Sequence, residues 1–370
     1  MQEYDFKNEL ASVKKPGYID RCSQAEAEFR IKETAKCKRD IIYFAEHYFR
    51  VINLDKGLHV IKLYDVQREF LRFLVDNNKV ICVSGRQQGK STIYCIYALW
   101  LATFFREKKI MILANKAATA LELLGRIETA YEYLPMWLKG ECVTFNKSEL
   151  TFVNMSSIRA FASSSDAARG FSANCVILDE FAFLQKNLAD KLFTSMYPII
   201  SSSKNGKFII VSTPNGVDNL YYDIWQQANS KEKDKNKEGW KPFTMYWWQV
   251  PGHDEKWKEK QIAAIGKQRF AQEFNNEFLA SSTTHKLIPD DVIENYRIKL
   301  SEYRALDKEF AAGKKQMVRN DAQDKLYEFT MWHEFDPKKT YLASGDCAEG
   351  TGSDSSVLYV WDVTDLSNII

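Results

Sequence analysis

The stretch Ser84-Gly85-Arg86-Gln87-Gln88-Gly89-Lys90-Ser91-Thr92 follows a short apolar run, residues 80–83, and precedes a pattern of helical periodicity over residues 93–100. A strand, a glycine-containing loop ending in Gly-Lys-Ser and a helix are the layout of a phosphate-binding P-loop. Backbone N–H groups and the positive end of the helix hold a polyphosphate there. Lys90 reaches its terminal phosphates, and the Ser91 hydroxyl binds Mg²⁺. The stretch predicts a nucleotide site, although Ser84 stands where the usual pattern has its first glycine.

Composition sets the outer limits of the interpretation. The chain has 370 residues, enough for two or three domains, and is 45% hydrophobic and 27% charged, as is ordinary for a globular protein. Seven cysteines without a C-x-x-C pair favour a reducing compartment. No apolar run approaches the length of a membrane span, and the N-terminus has no signal-peptide pattern.

Bulk charge gives no argument for nucleic-acid binding, because the formal net charge is only +2. Three local basic clusters stand out: residues 36–39, Arg106 with residues 108–109, and residues 314–315. Glu107 dilutes the second cluster. Each cluster taken alone is more typical of a solvated surface than of a DNA contact.

Strand and helix patterns alternate after the P-loop, which predicts an α/β fold. The fold class is a P-loop NTPase of the additional-strand, catalytic-glutamate type, with a mainly parallel sheet and flanking helices. Helices are expected over residues 23–50, 65–76 and 117–133, strands over residues 80–83, 109–114, 175–178 and 208–211, and hairpins over residues 150–161 and 341–362.

The second decisive motif is Cys175-Val176-Ile177-Leu178-Asp179-Glu180. Four apolar residues ending in Asp-Glu describe a Walker B strand, in which Asp179 holds Mg²⁺ and Glu180 polarises the attacking water as general base. An acidic pair after a strand is also typical of a plain helix N-terminus. With a P-loop about 90 residues earlier, hydrolysis is favoured. A GTPase would need Asn-Lys-x-Asp, and residues 115–118 lack the Asp.

Further candidates surround these two motifs. Ser212 and Thr213 follow a buried strand and are expected to sense the γ-phosphate, although Pro214-Asn215-Gly216 alone is a turn pattern. Gln67, about 20 residues before the P-loop, can hydrogen-bond adenine. Arg86 and Arg169 are candidates for neutralising transition-state charge.

Together these residues resemble the large terminase subunit of tailed bacteriophages, an ATPase-nuclease that packages DNA into procapsids. The residues that carry the resemblance are the deviant Walker A at 85–92, Arg169-Gly170, Leu178-Asp179-Glu180-Phe181-Ala182-Phe183, Ser212-Thr213-Pro214-Asn215-Gly216 and Arg269-Phe270-Ala271-Gln272-Glu273-Phe274. Family members tend to have Arg-Gln-x-Gly-Lys-Ser/Thr without the first glycine, so Ser84 fits that pattern. The resemblance covers roughly residues 60–280.

The resemblance extends to a nuclease of RNase H-like fold, whose first strand carries a metal-binding aspartate. Residues 344–350 match the end of that strand, with Asp346 as the implied ligand of Mg²⁺ or Mn²⁺ and Asp354 as a supporting acid. Two-metal cleavage needs further carboxylates on later strands. We expect an intact ATPase, an incomplete nuclease and no metal-dependent DNA cleavage by these 370 residues. Nicking of plasmid with Mn²⁺ that is abolished by Asp346→Ala would contradict this.

The resemblance also implies an organisation and a set of partners. Residues 1–55 would be the N-terminal helical part of a lid subdomain, 56–280 the ATPase core, 281–335 a helical connector and 336–370 the start of the nuclease. ATP and Mg²⁺ are the implied cofactors. Double-stranded DNA, the portal protein, the small terminase subunit and a homo-oligomeric ring on the portal are the implied partners, with a monomer in isolation. The cytoplasm of the infected bacterium is the expected location.

Three alternative functions agree less well with the sequence. A helicase-like nucleic-acid-dependent ATPase shares the order of glutamine, P-loop and Asp-Glu, but needs a second RecA-like domain that residues 281–370 do not supply. An assembly module that binds nucleotide without hydrolysis is disfavoured by Asp179-Glu180. A small-molecule kinase is disfavoured because no acceptor-site or lid pattern is visible.

Overall fold

The computed structural model describes residues 13–17, 21–53, 55–163, 171–201, 205–230, 236, 238–279, 314–320, 325–331, 336–346 and 357–362. The chain forms two compact units, Met1–Thr283 and Thr284–Ile370. None of the helices in the described ranges is both long enough and apolar enough to cross a membrane.

The first unit alternates helices and strands along most of its length. In chain order the elements are α1 (Gln24–Arg39), α2 (Ile41–Tyr48), β1 (Arg50–Asn53), β2 (Gly57–Val60), α3 (Asp65–Asp76), β3 (Lys79–Ser84), α4 (Lys90–Phe104), β4 (Lys109–Ala114), α5 (Ala117–Glu132), β5 (Cys142–Asn146), β6 (Glu149–Phe152), β7 (Ser157–Ala162), β8 (Cys175–Asp179), α6 (Lys186–Ser201), β9 (Lys207–Ser212), α7 (Leu220–Asn229), β10 (Lys241–Met245), α8 (Glu255–Ile265) and α9 (Lys267–Glu273). Short 3-10 helices lie at Phe181–Phe183 and Trp247–Gln249.

Eight strands form one mixed sheet in the order β10-β3-β9-β8-β4-β7-β6-β5. The strands from β10 to β7 run parallel, and β7, β6 and β5 form an antiparallel edge. β9 lies between the P-loop strand β3 and the strand β8 that ends in Asp179. The predicted α/β P-loop fold with a mainly parallel sheet is confirmed.

Both faces of the central strands are buried, which explains why they read as continuous apolar runs. Successive residues of a strand point to opposite faces. Val80 and Cys82 of β3 belong to the core beneath α2 to α5, whereas Ile81 and Val83 belong to the core beneath α6 and α7. The sheet therefore separates two hydrophobic layers.

The parallel register places the ends of three strands at one edge. Val83 pairs with Ser212, and Asp179 pairs with Val211. Because parallel strands share a direction, the P-loop, Asp179 and Ser212 all emerge at the carboxyl edge of the sheet.

The structure has two helices where the sequence predicts one. The helix expected over residues 23–50 ends at Arg39, and α2 begins at Ile41. Asp40 Oδ1 accepts hydrogen bonds from the N–H groups of Ile42 (2.9 Å) and Tyr43 (3.1 Å). This N-cap satisfies donors that have no intrahelical partner, so the chain restarts there. Arg50 is already in a strand.

The second unit corrects the expected helical connector at residues 281–335. β11 (Lys314–Asn320) and β12 (Lys325–Met331) pair as an antiparallel hairpin. Residues 327–331 alternate apolar and polar side chains, but seven of the 18 residues in 314–331 are charged, and this composition concealed the strand signal. Residues 281–313 lie outside the described ranges.

The final hairpin agrees with the sequence pattern. β13 (Tyr341–Asp346) and β14 (Val357–Asp362) pair antiparallel, with Tyr341 opposite Asp362 and Asp346 opposite Val357. Asp346 is thus the last residue of its strand. Asp354 lies outside the described residues.

Replacement of Asp40 by alanine is expected to lower the free energy of unfolding by about 1 kcal/mol, because two N–H groups at the start of α2 lose their acceptor. Asp40→Asn keeps a side-chain oxygen at this place and should stay close to the unaltered protein. Urea denaturation followed by helical circular dichroism measures both. Equal stability of the two variants would show that the cap contributes nothing.

Candidate active site

The P-loop is a tight turn between β3 and α4. β3 ends at Ser84, and α4 begins at Lys90. Gln87 and Gly89 both have positive φ, 61° and 76°. A Cβ on Gly89 would lie 2.5 Å from Gln67 Nε2, so this position requires glycine both for its backbone and for its space. The loop thus presents successive backbone amides at the start of a helix, as the sequence predicted.

Gln88 holds the loop from beneath. Its side chain is 1% exposed. With the amide assigned from its hydrogen-bond partners, Nε2 donates to Ser84 Oγ (2.9 Å) and to the Met245 carbonyl (2.8 Å), and Oε1 accepts from Trp247 N (3.0 Å). Ser84, which replaces the usual glycine, therefore takes part in a buried network that joins the loop to the end of β10.

Gln67 is a second buried support of the loop. It is 4% exposed, its Nε2 donates to the Gln88 carbonyl (3.0 Å), and its Oε1 accepts from Tyr64 N (3.1 Å). Both polar atoms therefore have protein partners. The expected contact with adenine stays a prediction, and it would have to use the remaining N–H or lone pair of this amide.

The end of α9 packs against the loop, a contact that the sequence does not reveal. The Arg86 N–H donates to the Glu273 carbonyl (2.8 Å), and the Arg86 guanidinium forms an ion pair with the Glu273 carboxylate. A Cβ on Gly85 would lie 2.8 Å from the Phe274 carbonyl. The run of residues 269–274 was noted in the sequence only as the end of the ATPase region.

Arg86 itself is half-exposed, with 59% of its side chain accessible. Its only ion-pair partner among the described residues is Glu273. The other predicted arginine, Arg169, lies outside the described residues. The structure therefore places one of the two candidate arginines at the loop.

Asp179 is the buried carboxylate of the site. It is 3% exposed at the end of β8, and its Oδ1 has no hydrogen-bond partner among the described residues. Burial and then the charge of Glu180 raise the pKa of Asp179 to about 6. A buried carboxylate oxygen of this kind next to a P-loop could serve as a ligand of Mg²⁺.

Tyr94, on the first turns of α4, lies beneath this carboxylate. Burial raises the pKa of Tyr94 well above its usual value, and the charge of Asp179 raises it further, while Ser91 acts in the opposite direction. Ser91 and Asp179, the two predicted ligands of Mg²⁺, therefore lie near one buried hydroxyl. The described part of the chain contains no group of three or more His, Cys, Asp or Glu that could hold a metal without help from a ligand. A site completed by phosphate oxygens and water fits that finding.

Glu180 lies at the centre of the constellation. Its backbone is left-handed, φ 52°, and its N–H donates to the Val211 carbonyl (2.8 Å). Its Oε1 lies 2.8 Å from Lys90 Nζ, and its Oε2 accepts from Thr213 Oγ1 (3.1 Å). Burial raises the pKa of Glu180, but Lys90 and Thr213 outweigh it and hold the pKa below its usual value. The carboxylate is therefore ionised and oriented.

The predicted coupling residues contact the predicted base. Ser212 Oγ donates to the Thr213 carbonyl (2.8 Å) and accepts from the Ala182 N–H (3.2 Å), while Thr213 holds Glu180. Ser212, at the end of β9, and Thr213, which follows it, thus contact the residues that follow β8. Asp346 belongs to the other compact unit and is the last residue of β13.

The chain is similar to a known protein family and to several solved structures. Residues 81–291 match the family model described as terminase large subunit, T4likevirus-type, N-terminal. The large terminase of bacteriophage HK97 aligns with 88% of this chain and 68% of its own, at 14% identity and a TM-score of 0.53. This supports the same fold.

Two further structures match a smaller part. The large terminase ATPase domain of Thermus phage P74-26 covers 59% of this chain and 94% of its own, at 21% identity and a TM-score of 0.47. A large terminase from a thermophilic bacteriophage in complex with ADP covers 59% of this chain, at 12% identity and a TM-score of 0.46. The chain spans 54% of that terminase.

Gly85→Ala is expected to lower the free energy of unfolding by about 1–3 kcal/mol and to weaken nucleotide binding, because the new Cβ forces Phe274 and the loop apart. Urea denaturation and calorimetric titration with ADP measure the two effects. Gly125→Ala in α5 is the matched control: its Cβ meets nothing within 4 Å, and helix propensity should stabilise it by about 0.5–1 kcal/mol. Equal stability of the two variants would contradict a tight seat for Gly85.

Proposed function

The chain belongs to the T4-like type of the phage terminase large subunit family, and on that basis we propose that it is the ATP-hydrolysing motor that moves double-stranded DNA into a procapsid. The observation that carries the proposal is the contact of Lys90, at the end of the P-loop, with Glu180, at the end of β8. A phosphate-binding cation and a carboxylate base lie together at the carboxyl edge of one parallel sheet.

Binding of ATP would release the proposed base, Glu180, from its ion pair with Lys90. Lys90 is buried and pairs with Glu180. The terminal phosphates of ATP carry more negative charge than one carboxylate, so they compete for Lys90. Glu180 then keeps Thr213 as its partner and is free to accept a proton from the attacking water. Loss of Lys90, the main cause of its lowered pKa, lets burial raise the pKa of Glu180, which makes the carboxylate a stronger base.

Mg²⁺ would be held by Asp179 and the Ser91 hydroxyl together with the phosphates. The unpartnered Oδ1 of Asp179 fits that role. When bound, the ion supplies positive charge that stabilises the leaving phosphate. The residues of this chain orient the phosphates, exclude water through the buried loop network and hold the base.

Arg86 is the proposed source of a further positive charge at the phosphates. It is inside the loop with 59% of its side chain accessible, and its guanidinium forms an ion pair with Glu273. Arg169 is the second candidate. Whether an arginine acts within its own subunit or on a neighbour's ATP depends on the proposed homo-oligomeric ring.

The partners follow from the family and are proposals for this chain. They are double-stranded DNA, the portal protein and the small terminase subunit, in the cytoplasm of the infected bacterium. The endonuclease activity of the family, which would use Mg²⁺ or Mn²⁺ at Asp346, is likewise a proposal. Ser212 and Thr213 would couple hydrolysis to motion, since both hydroxyls lie within hydrogen-bond distance of Glu180 Oε2.

Glu180→Gln is expected to lower the steady-state ATPase rate by at least about 100-fold, because the amide cannot accept the proton from water. Its affinity for ATP should rise, since Lys90 no longer has a charged competitor. Phosphate release and equilibrium ATP binding measure these effects. Glu122→Gln removes an exposed carboxylate that pairs with Arg126 and should leave both values unchanged. Wild-type turnover of Glu180→Gln would exclude Glu180 as the base.

Lys90→Ala is expected to abolish most ATP binding and hydrolysis, by about 100-fold or more in rate, because the terminal phosphates lose their buried cation. Lys116→Ala, at an exposed position before α5, is the control for loss of a lysine. Phosphate-release assays at saturating ATP and at low ATP separate the binding effect from the rate effect. Unchanged hydrolysis by Lys90→Ala would contradict the proposed site.

A further inference from the structure

Two of the basic clusters that the sequence keeps apart meet in the fold. Lys36, Lys38 and Arg39 lie in the last turn of α1, and Arg106, Lys108 and Lys109 follow the end of α4. Lys38 Nζ lies 5.2 Å from the centre of the Phe105 ring, next to Arg106 in the chain. We call these six residues the α1–α4 basic surface.

The α1 half of this surface is fixed to α4. Trp100 Nε1 donates to the Cys37 carbonyl (2.9 Å), and both Cys37 and Trp100 are buried. Trp100 also packs edge-on against Phe105, with ring centres 4.9 Å apart. The last turn of α1 and the end of α4 therefore pack as one unit. The backbones that carry Lys38 and Arg106 are held close to each other.

The loop half is fixed by the turn between β6 and β7. Phe105 O accepts from Ser156 Oγ (2.8 Å) and from Asn154 Nδ2 (3.2 Å). Ser156 Oγ in turn accepts from Lys108 N (3.0 Å), and Glu107 N donates to the Asn154 carbonyl (3.1 Å). The backbone that carries Arg106 and Lys108 is thus held at both ends, so little ordering remains to be done on binding.

The surface concentrates charge that the whole chain does not have. Five of its six cationic side chains are exposed, and Lys108 is half-buried. The two carboxylates within the same stretches are Asp40, which caps α2, and Glu107. Six cations against two carboxylates contrast with a formal charge of +2 for all 370 residues. Such a local excess attracts a polyanion.

The surface is separate from the nucleotide site. Lys109 begins β4, whereas the P-loop and Glu180 lie at the carboxyl ends of the parallel strands. Six strand residues extend about 17 Å. α4 starts at the P-loop with Lys90 and ends at Phe104 beside this surface, so the helix spans the distance between the two. The ATP phosphates therefore cannot be the ligand of these cations.

We propose that the α1–α4 basic surface binds the phosphate backbone of double-stranded DNA, an inference that rests on the proposed DNA-packaging function. Lysines and arginines that neutralise several phosphates supply the sequence-independent part of DNA binding. Cations in the last turn of α1 also stabilise that helix through its dipole. Helix stabilisation involves only the three cations of α1. Replacement of Arg106 and Lys108 therefore tests DNA binding without changing the stability of α1.

The test is binding of a fluorescent 30-base-pair duplex by the full chain across a salt series. Replacement of Lys36, Lys38, Arg106 and Lys108 by glutamine should weaken binding at least 10-fold at low salt. Each lost phosphate contact should also reduce the slope of log Kd against log salt by about 0.9. Arg106→Gln with Lys108→Gln alone should give about half of this change in slope. ATP hydrolysis without DNA should stay unchanged.

Two controls separate local from bulk charge. Lys36→Arg, Lys38→Arg, Arg106→Lys and Lys108→Arg keep the charge and should keep the binding. Glutamine at Lys56, Lys62, Lys147 and Lys260, four exposed lysines elsewhere in the same unit, removes the same charge and should change binding less than 3-fold. Matching thermal unfolding midpoints verify that all variants fold.

Several results would contradict DNA binding by the α1–α4 basic surface. These are unchanged duplex binding by the fourfold glutamine variant, equal losses in that variant and in the distant control, no duplex binding by the unaltered chain, or occupation by an acidic peptide such as polyglutamate instead of DNA. Failure of the proposed function reads out differently, as absence of ATP hydrolysis by the unaltered chain. DNA binding and its salt slope are measured without ATP and so report on the surface alone.

Discussion

The ion pair between Lys90 and Glu180 is the contact on which the organisation of the site depends. Its two partners are 90 positions apart and come from different strand ends. They meet because β9 lies between β3 and β8 in parallel register, so that all three strands deliver their last residues to one edge. The same register brings Thr213 to Glu180 and leaves Asp179 Oδ1 buried, without a hydrogen-bond partner among the described residues. Their pKa values then differ, because burial and the charge of Glu180 raise the pKa of Asp179, whereas Lys90 and Thr213 lower that of Glu180 against the effect of burial.

Around that pair, the loop is supported by contacts from distant parts of the chain. Gln67 supports it from α3, Gln88 ties it to the end of β10, and Glu273 holds Arg86 from the end of α9. Buried amides that satisfy backbone groups fix such a turn in one conformation. A nucleotide would therefore meet a loop whose shape is set before binding, with Arg86 as its one half-exposed charged side chain.

The two edges of the sheet have different chemistry. The carboxyl edge carries the P-loop and the acids, and the amino edge carries the meeting point of α1, the end of α4 and the turn between β6 and β7. α4 joins the edges as a buried helix, and most of its residues face the core. A motor that hydrolyses ATP at one edge and holds a polyanion at the other would have this helix as the shortest rigid path between them.

The sequence by itself determined the strand-loop-helix of the P-loop, the Asp-Glu strand and the α/β class, because each of these is written in neighbouring residues with a clear period. It was misleading where a single side chain or a mixed pattern decided the outcome, as at Asp40, which divides one helix into two, and at residues 314–331, where charge concealed a hairpin. Only the tertiary structure decided which polar groups meet. Glu273 at Arg86, Gln67 at Gln88 and Lys38 at Phe105 are pairs separated by 21 to 187 positions. No local pattern encodes them, because they follow from strand order and from the packing of helices on two faces of one sheet.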